Sequence, residues 1–99
     1  MGLPKEKVAE LTLQALRDIL SQQRGGVCLI TPADIARHAQ KRWRLYLYNH
    51  LKWIAETLAS THRISVNGTT WLRADANPWA PASRNSHLFY RADRVRLST

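Results

Sequence analysis

Apolar residues recur at helical spacing near the start of the chain. Val8, Leu11, Ala15, Leu16, Ile19 and Leu20 form one face of a 3.6-residue repeat. The pattern predicts a helix from about Pro4 to Gln23, with Pro4 at a first-turn position and Gly25-Gly26 ending it. Val27-Cys28-Leu29-Ile30, bounded by glycine and by Thr31-Pro32, reads as a short buried strand. Thr31 is suited to cap a second helix, Pro32 to its first position and Asp34 to its first turn. That helix is expected from Pro32 to about Ala39, with Ile35, Ala36 and Ala39 facing inward. A third and longer helix is expected from about Lys41 to Ser60. Its core stripe is Trp43, Leu47, His50, Leu51, Ile54 and Leu58. Arg42, Leu45, Asn49, Lys52 and Glu56 lie on the opposite side, with Lys41, Tyr48 and Trp53 on the flanks.

The period then changes to two. Arg63-Ile64-Ser65-Val66 and Thr69-Thr70-Trp71-Leu72 flank Asn67-Gly68. Asn-Gly between β-prone runs is a strong hairpin signal, because a type I′ turn needs positive φ at both central positions. The expected register sets Ile64 opposite Trp71 and puts Ile64, Val66 and Trp71 on one face. Residues 74–87 have a loop composition of Ala, Pro, Asn and Ser, with Trp79 between Pro78 and Pro81. The tail from Leu88 carries Phe89, Tyr90, Val95 and Leu97 among arginines, a pattern that suits a strand or a helix equally.

Helix, short strand, short helix, long helix, hairpin is the element order of a winged helix-turn-helix, and residues carry the resemblance too. Ile35-Ala36 with Ala39 looks like the first helix of that family's helix-turn-helix. Tyr48-Asn49-His50-Leu51-Lys52-Trp53-Ile54 resembles the second half of its recognition helix, and Thr70-Trp71-Leu72 its returning wing strand. The resemblance covers about residues 5–73 and places the turn between the two helices at Gln40-Lys41, without the family's usual glycine. It implies an α+β fold: a three-helix winged helix-turn-helix with a short strand after helix 1, a hairpin wing and a C-terminal extension. Residues 1–74 would form the winged-helix domain. Residues 75–99 would be a basic and aromatic extension packed on it.

Charge sharpens this picture. The 99 residues carry a net charge of +8. Residues 1–23 are neutral, and from Arg37 to Lys52 there are five basic residues and no acid. A neutral scaffold with a basic working half is the electrostatic footprint of a polyanion binder. In the resemblance, Arg42, Leu45, Asn49 and Lys52 face the major groove, where arginine reads guanine and asparagine reads adenine. Lys41, Arg44, Tyr48 and Arg37 are placed for phosphate contacts. Asn67 at the hairpin tip is placed for the minor groove, and Arg63 and Arg73 at the hairpin base for phosphates. Trp53, Trp79, Phe89 and Tyr90 are candidate anchors of the tail or contacts of a homodimer or other partner.

The expectation is therefore a binder of double-stranded DNA, a transcriptional regulator of prokaryotic or viral type, cytoplasmic and nucleoid-associated. The same charge also suits an RNA-binding or ribosome-associated module, with Tyr46, Tyr48, Trp53 or Phe89 stacking on unpaired bases. A third reading is a protein-interaction winged helix within a larger complex. Catalysis is not expected. His38, His50, His62 and His87 lack metal-ligand spacing with Cys28 or an acid, Gly25-Gly26 is not a phosphate loop, and no nucleophile has an evident base. No cofactor, metal or small-molecule substrate follows from the sequence, and no apolar run approaches a membrane span. Cys28 reads as a small buried hydrophobe and His50 as a packed core histidine.

Overall fold

The structure is a computed structural model, described here over residues 2–74 and 86–93. It is α+β: three α-helices and a 3-10 turn set against a four-stranded antiparallel sheet. Helix α1 spans Lys5–Ser21, strand β1 Val27–Ile30 and helix α2 Pro32–Trp43. A 3-10 turn at Tyr48–His50 leads into α3, Leu51–Ser60. Strands β2 (Arg63–Val66), β3 (Thr69–Arg73) and β4 (His87–Arg91) follow.

Local chemistry accounts for the boundaries. Pro4 precedes α1 with extended backbone, as its N-cap rather than a residue of its first turn. Thr31 and Asp34 cap α2 reciprocally. The Asp34 N–H donates to Thr31 Oγ1 at 3.2 Å, and the Thr31 N–H donates to Asp34 Oδ2 at 3.0 Å. Burial pushes the Asp34 carboxyl up, but the hydrogen bonds from Thr31 and Arg37 outweigh it and hold the group below the usual carboxylate range.

The expected helix over 41–60 is not one helix. α2 continues to Trp43 and stops at Arg44, whose φ of 59° is left-handed. The Arg44 N–H donates to Gln40 O and the Leu45 N–H to Ala39 O, which satisfies the last carbonyls. The turn between the helices is therefore Arg44 to Leu47, not Gln40-Lys41. The apolar stripe misled because Leu47 is fully buried from within that turn. It keeps the spacing of a helical core residue without belonging to a helix.

The hairpin follows its sequence. Ile64 pairs with Trp71, and Ile64, Val66 and Trp71 are all buried. Asn67 and Gly68 both have positive φ, as the type I′ turn requires. The start of the tail forms a strand, while Val95 and Leu97 lie outside the described residues, and β4 inserts between β1 and β3 to give the order β1-β4-β3-β2. Phe89 carries that insertion. It is fully buried, pairs with Cys28 on one side and Arg73 on the other, and joins a core of Val8, Leu16, Leu20, Ile30, Ile35, Ile54 and Leu58. Burying such a side chain is worth about 1.5–3 kcal/mol.

Helix α1 packs on α2, α3 and β2. His38 Nε2 lies 3.0 Å from Asp18 Oδ2 and ties α2 to α1. Cys28 is buried, and burial pushes its thiol pKa up, with a further push from the Asp34 carboxylate. No helix among the described residues is long and apolar enough to cross a membrane.

Candidate nucleic-acid interface

The break at Arg44 redistributes the expected site over two elements. Arg37 and Lys41 are one turn apart on the exposed side of α2, with Arg42 exposed in its last turn. Arg44 is exposed at the head of the turn. Leu45 is half-buried and packs on the core, which removes it from an exposed reading face. Arg42 belongs to α2 and is separated from Asn49 in the 3-10 turn and Lys52 in α3. Those two residues are exposed at the start of the second helical segment, and Glu56 continues the row one turn on.

Ion pairing separates the cations into two groups. Glu10 pairs with Lys7, Asp34 with Arg37, Glu56 with Lys5 and Asp93 with Arg91, and Asp18 is hydrogen-bonded to His38. Among the described residues Arg17, Arg24, Lys41, Arg42, Arg44, Lys52, Arg63 and Arg73 make no ion pair. Four of these eight, Lys41, Arg42, Arg44 and Lys52, flank the α2–α3 turn. They form a group of charges open to an external anion, whereas Arg37 is already held at 2.9 Å by Asp34.

Aromatic rings surround the same turn. Tyr46 is 61% exposed and lies 5.3 Å from Tyr48, centroid to centroid, with the planes tilted by 49°. The His50 ring stacks on Trp53 at 4.8 Å with planes 6° apart. His50 is thus half-exposed, not the fully packed core histidine expected. Trp53 is half-buried against the core, so its available surface is partial.

At the hairpin, Asn67 and Gly68 are exposed at the tip. Arg63 is exposed beside Arg17 in a depression of about 350 Å³ that Leu13, His62 and Ser65 also line. Arg17 was not among the expected contacts, because helical periodicity places it on α1 with no sign that α1 meets the hairpin base. Arg73 has a different task from the one expected. It is half-buried, and its Nη2 donates to Ala59 O at 2.8 Å and to His62 Nδ1 at 3.2 Å. It caps the C-terminal end of α3, so its guanidinium is occupied within the fold.

Of the two roles expected for the tail aromatics, anchoring or partner contact, Phe89 takes the first. Phe89 has no exposed surface and is a core residue, which rules it out as a partner contact or stacking platform. Tyr90 is half-buried on the sheet. Trp79 lies outside the described residues. Among the described residues no cluster of His, Cys, Asp and Glu has the makings of a metal site. The one histidine with a resolved shift is His87, whose pKa is lowered by burial and then by Arg73.

Two features of the interface had no sequence signal. The left-handed Arg44 carries no glycine or asparagine to announce it. The ion pair between Lys5 and Glu56, 3.1 Å long, joins residues far apart in the chain. Comparison of the chain with protein-family models, with curated proteins and with solved structures finds no match, so the interface rests on its own residues.

Proposed function

We propose that this chain binds double-stranded DNA in the manner of a winged helix-turn-helix, with α3 and the 3-10 turn before it entering the major groove. The observation that carries the reading is the set of exposed, unpaired cations Lys41, Arg42, Arg44 and Lys52 around the α2–α3 turn. These cations lie close together in the chain and no described acid pairs with them, so a polyanion gains most around this turn.

The roles divide by position. Lys41, Arg42 and Arg44 contact phosphates and fix the docking of the second segment. Asn49 and Lys52, exposed at the start of that segment, reach base edges. The tip at Asn67-Gly68 and Arg63 at the hairpin base contact the flanking backbone. Affinity then comes from counterion release, and sequence choice from Asn49. A regulator of transcription is the biological role that suits such a domain.

The test is fluorescence anisotropy against random duplex DNA, single-stranded DNA and structured RNA over a range of salt. Duplex binding that weakens steeply with salt is expected. Asn49→Ala should relax sequence preference while Lys41→Ala weakens all duplexes alike. The exposed Tyr46 beside Tyr48 favours a second reading, base stacking on single strands. Preference for single strands, with loss on Tyr46→Ala, would replace the first reading by the second. No binding to any of the three at low salt would remove both.

A further inference from the structure

The sheet has two edges, and they are protected very differently. Antiparallel ladders alternate, so every second residue of an edge strand turns its N–H and C=O away from its neighbour. The Arg91 N–H donates to Gly26 O, and Cys28 and Ile30 lie opposite Phe89 and His87. The even-numbered residues of β1 therefore bond to β4. The backbone groups of Val27 and Leu29 project from the free edge. Among the described residues nothing pairs with them.

On the opposite edge, the same alternation leaves Arg63 and Ser65 projecting from β2, since the Arg73 N–H donates to His62 O. A charged residue there is the usual guard against edge-to-edge pairing. β1 has no charge, no proline and no bulge in Val27-Cys28-Leu29-Ile30. Instead the side chains of Val27 and Leu29 are each 61% exposed. They adjoin Leu88, 40% exposed, which pairs with Leu29, and Tyr90, which pairs with Val27. In a chain of net charge +8, an uncharged, unguarded strand edge is a surface on which two copies meet with little local repulsion.

We propose that β1 is a self-association edge, and that two copies pair antiparallel through it about a two-fold axis at Cys28. Parity fixes the register. Val27 and Leu29 must lie opposite residues whose backbone groups also project, and only a two-fold on a residue achieves that. Placed on Cys28, it sets Val27 against Leu29 of the second copy in both directions and uses the strand most fully. The eight-stranded sheet that results carries the outer apolar strip unbroken across the axis. A four-residue edge with its side chains falls short of the roughly 800 Å² per partner of a stable interface. The dimer is accordingly of the weak, concentration-dependent class. Adjacent binding sites on one DNA would raise the effective concentration and populate it.

The register has a chemical consequence. Cys28 faces its own copy as a non-hydrogen-bonded pair, with Cα atoms about 4.5 Å apart. That lies within the span of a disulfide. In the monomer the thiol is buried and shielded from chance collisions. The test needs no nucleic acid and so stands apart from the DNA-binding reading. The reduced chain is treated with diamide at rising protein concentration and run on a non-reducing gel. Each thiol gives up one proton and one electron, the S–S bond forms, and diamide is reduced to its hydrazine.

A dimer band that grows with concentration is expected for the wild-type chain. Leu29→Lys and Val27→Lys keep Cys28 but place charge on the edge, and both should lose the band while keeping the wild-type circular dichroism spectrum. Sedimentation velocity should show the same concentration dependence and the same loss. The proposal is overturned if the wild-type chain stays monomeric and uncross-linked at the highest concentration. In that case the edge is left to residues 94–99 of the same chain or to another protein. Cross-linking undiminished in both folded lysine variants would overturn it equally.

Discussion

Replacing Arg44 by glycine should make the protein more stable and a weaker DNA binder in one step. Arg44 closes α2 with φ at 59°. Left-handed backbone costs a non-glycine residue about 1–2 kcal/mol, because Cβ crowds the following carbonyl. Glycine removes that cost but adds freedom to the unfolded chain, worth about 0.5–1 kcal/mol in the other direction. The net is a gain of about 0.5–1 kcal/mol, or a rise of a few degrees in melting temperature at about 4–8 °C per kcal/mol. The exposed guanidinium makes no ion pair among the described residues, so its loss removes no internal support. Binding responds differently. If Lys41, Arg42, Arg44, Lys52 and Arg63 each neutralise one phosphate, log K falls with log salt at a slope near −4.5, and Arg44→Gly reduces it by about 0.9. Thermal melting and salt-dependent anisotropy on random duplex read the two effects separately. A lower melting temperature would refute the strain argument. An unchanged salt slope would refute the phosphate contact.

Other substitutions separate scaffold from interface. Arg73→Ala should destabilise by about 1–2 kcal/mol in urea unfolding, through the lost bond to Ala59 O, with no change in salt slope. A reduced slope would return Arg73 to the phosphate-contacting set. Phe89→Ala should cost about 3–5 kcal/mol and be read as a large fall in the urea midpoint; a loss under about 1 kcal/mol would mean that β4 is not part of the cooperative fold. Asp34 has a folded pKa below its unfolded value, so its contribution is complete above the ordinary carboxylate range. It is lost as pH falls through the lower folded value. The difference in melting temperature between wild type and Asp34→Ala should therefore shrink on acidification, and a constant difference would contradict the assignment. Glu56→Gln should tighten duplex binding several-fold and leave stability nearly unchanged, since an exposed ion pair is worth little; equal affinity would take Glu56 off the DNA-facing side.

How much of this was legible beforehand depended on how local the cause was. The hairpin register followed from Asn67-Gly68, and the start of α2 from Thr31 and Asp34, because each is decided by a few adjacent residues. The buried face of α1 followed from periodicity. The α2–α3 break did not, because Arg44 is an ordinary helix former and Leu47 imitates the next helical core position. The strand character of the tail was undecided for a related reason. Leu88, Phe89 and Tyr90 are apolar in succession, and only the slot between β1 and β3 decides which of them turns inward.

The same distinction governs the site. Net charge and its segregation located the basic half, and that needed no structure. Which cations remain free depends on pairing both within a helix, as for Arg37 and Lys7, and across elements, as for Lys5, and only the second kind had no sequence signal. Arg73 and Arg63 are equivalent in the sequence, both at the hairpin base, yet one caps α3 and the other stands exposed. Arg37 and Lys41 are equivalent on α2, yet one is held by Asp34. Glu56 is the instructive case. It continues the row of Asn49 and Lys52, where an uncompensated carboxylate would repel a phosphate backbone, and Lys5 meets it there from the start of α1. The segment that looks neutral and uninvolved in the sequence thus compensates one carboxylate on the face that the proposed binding mode would present to DNA. If α3 reads DNA as proposed, α1 contributes through Lys5 to the electrostatics of that face while it remains part of the core.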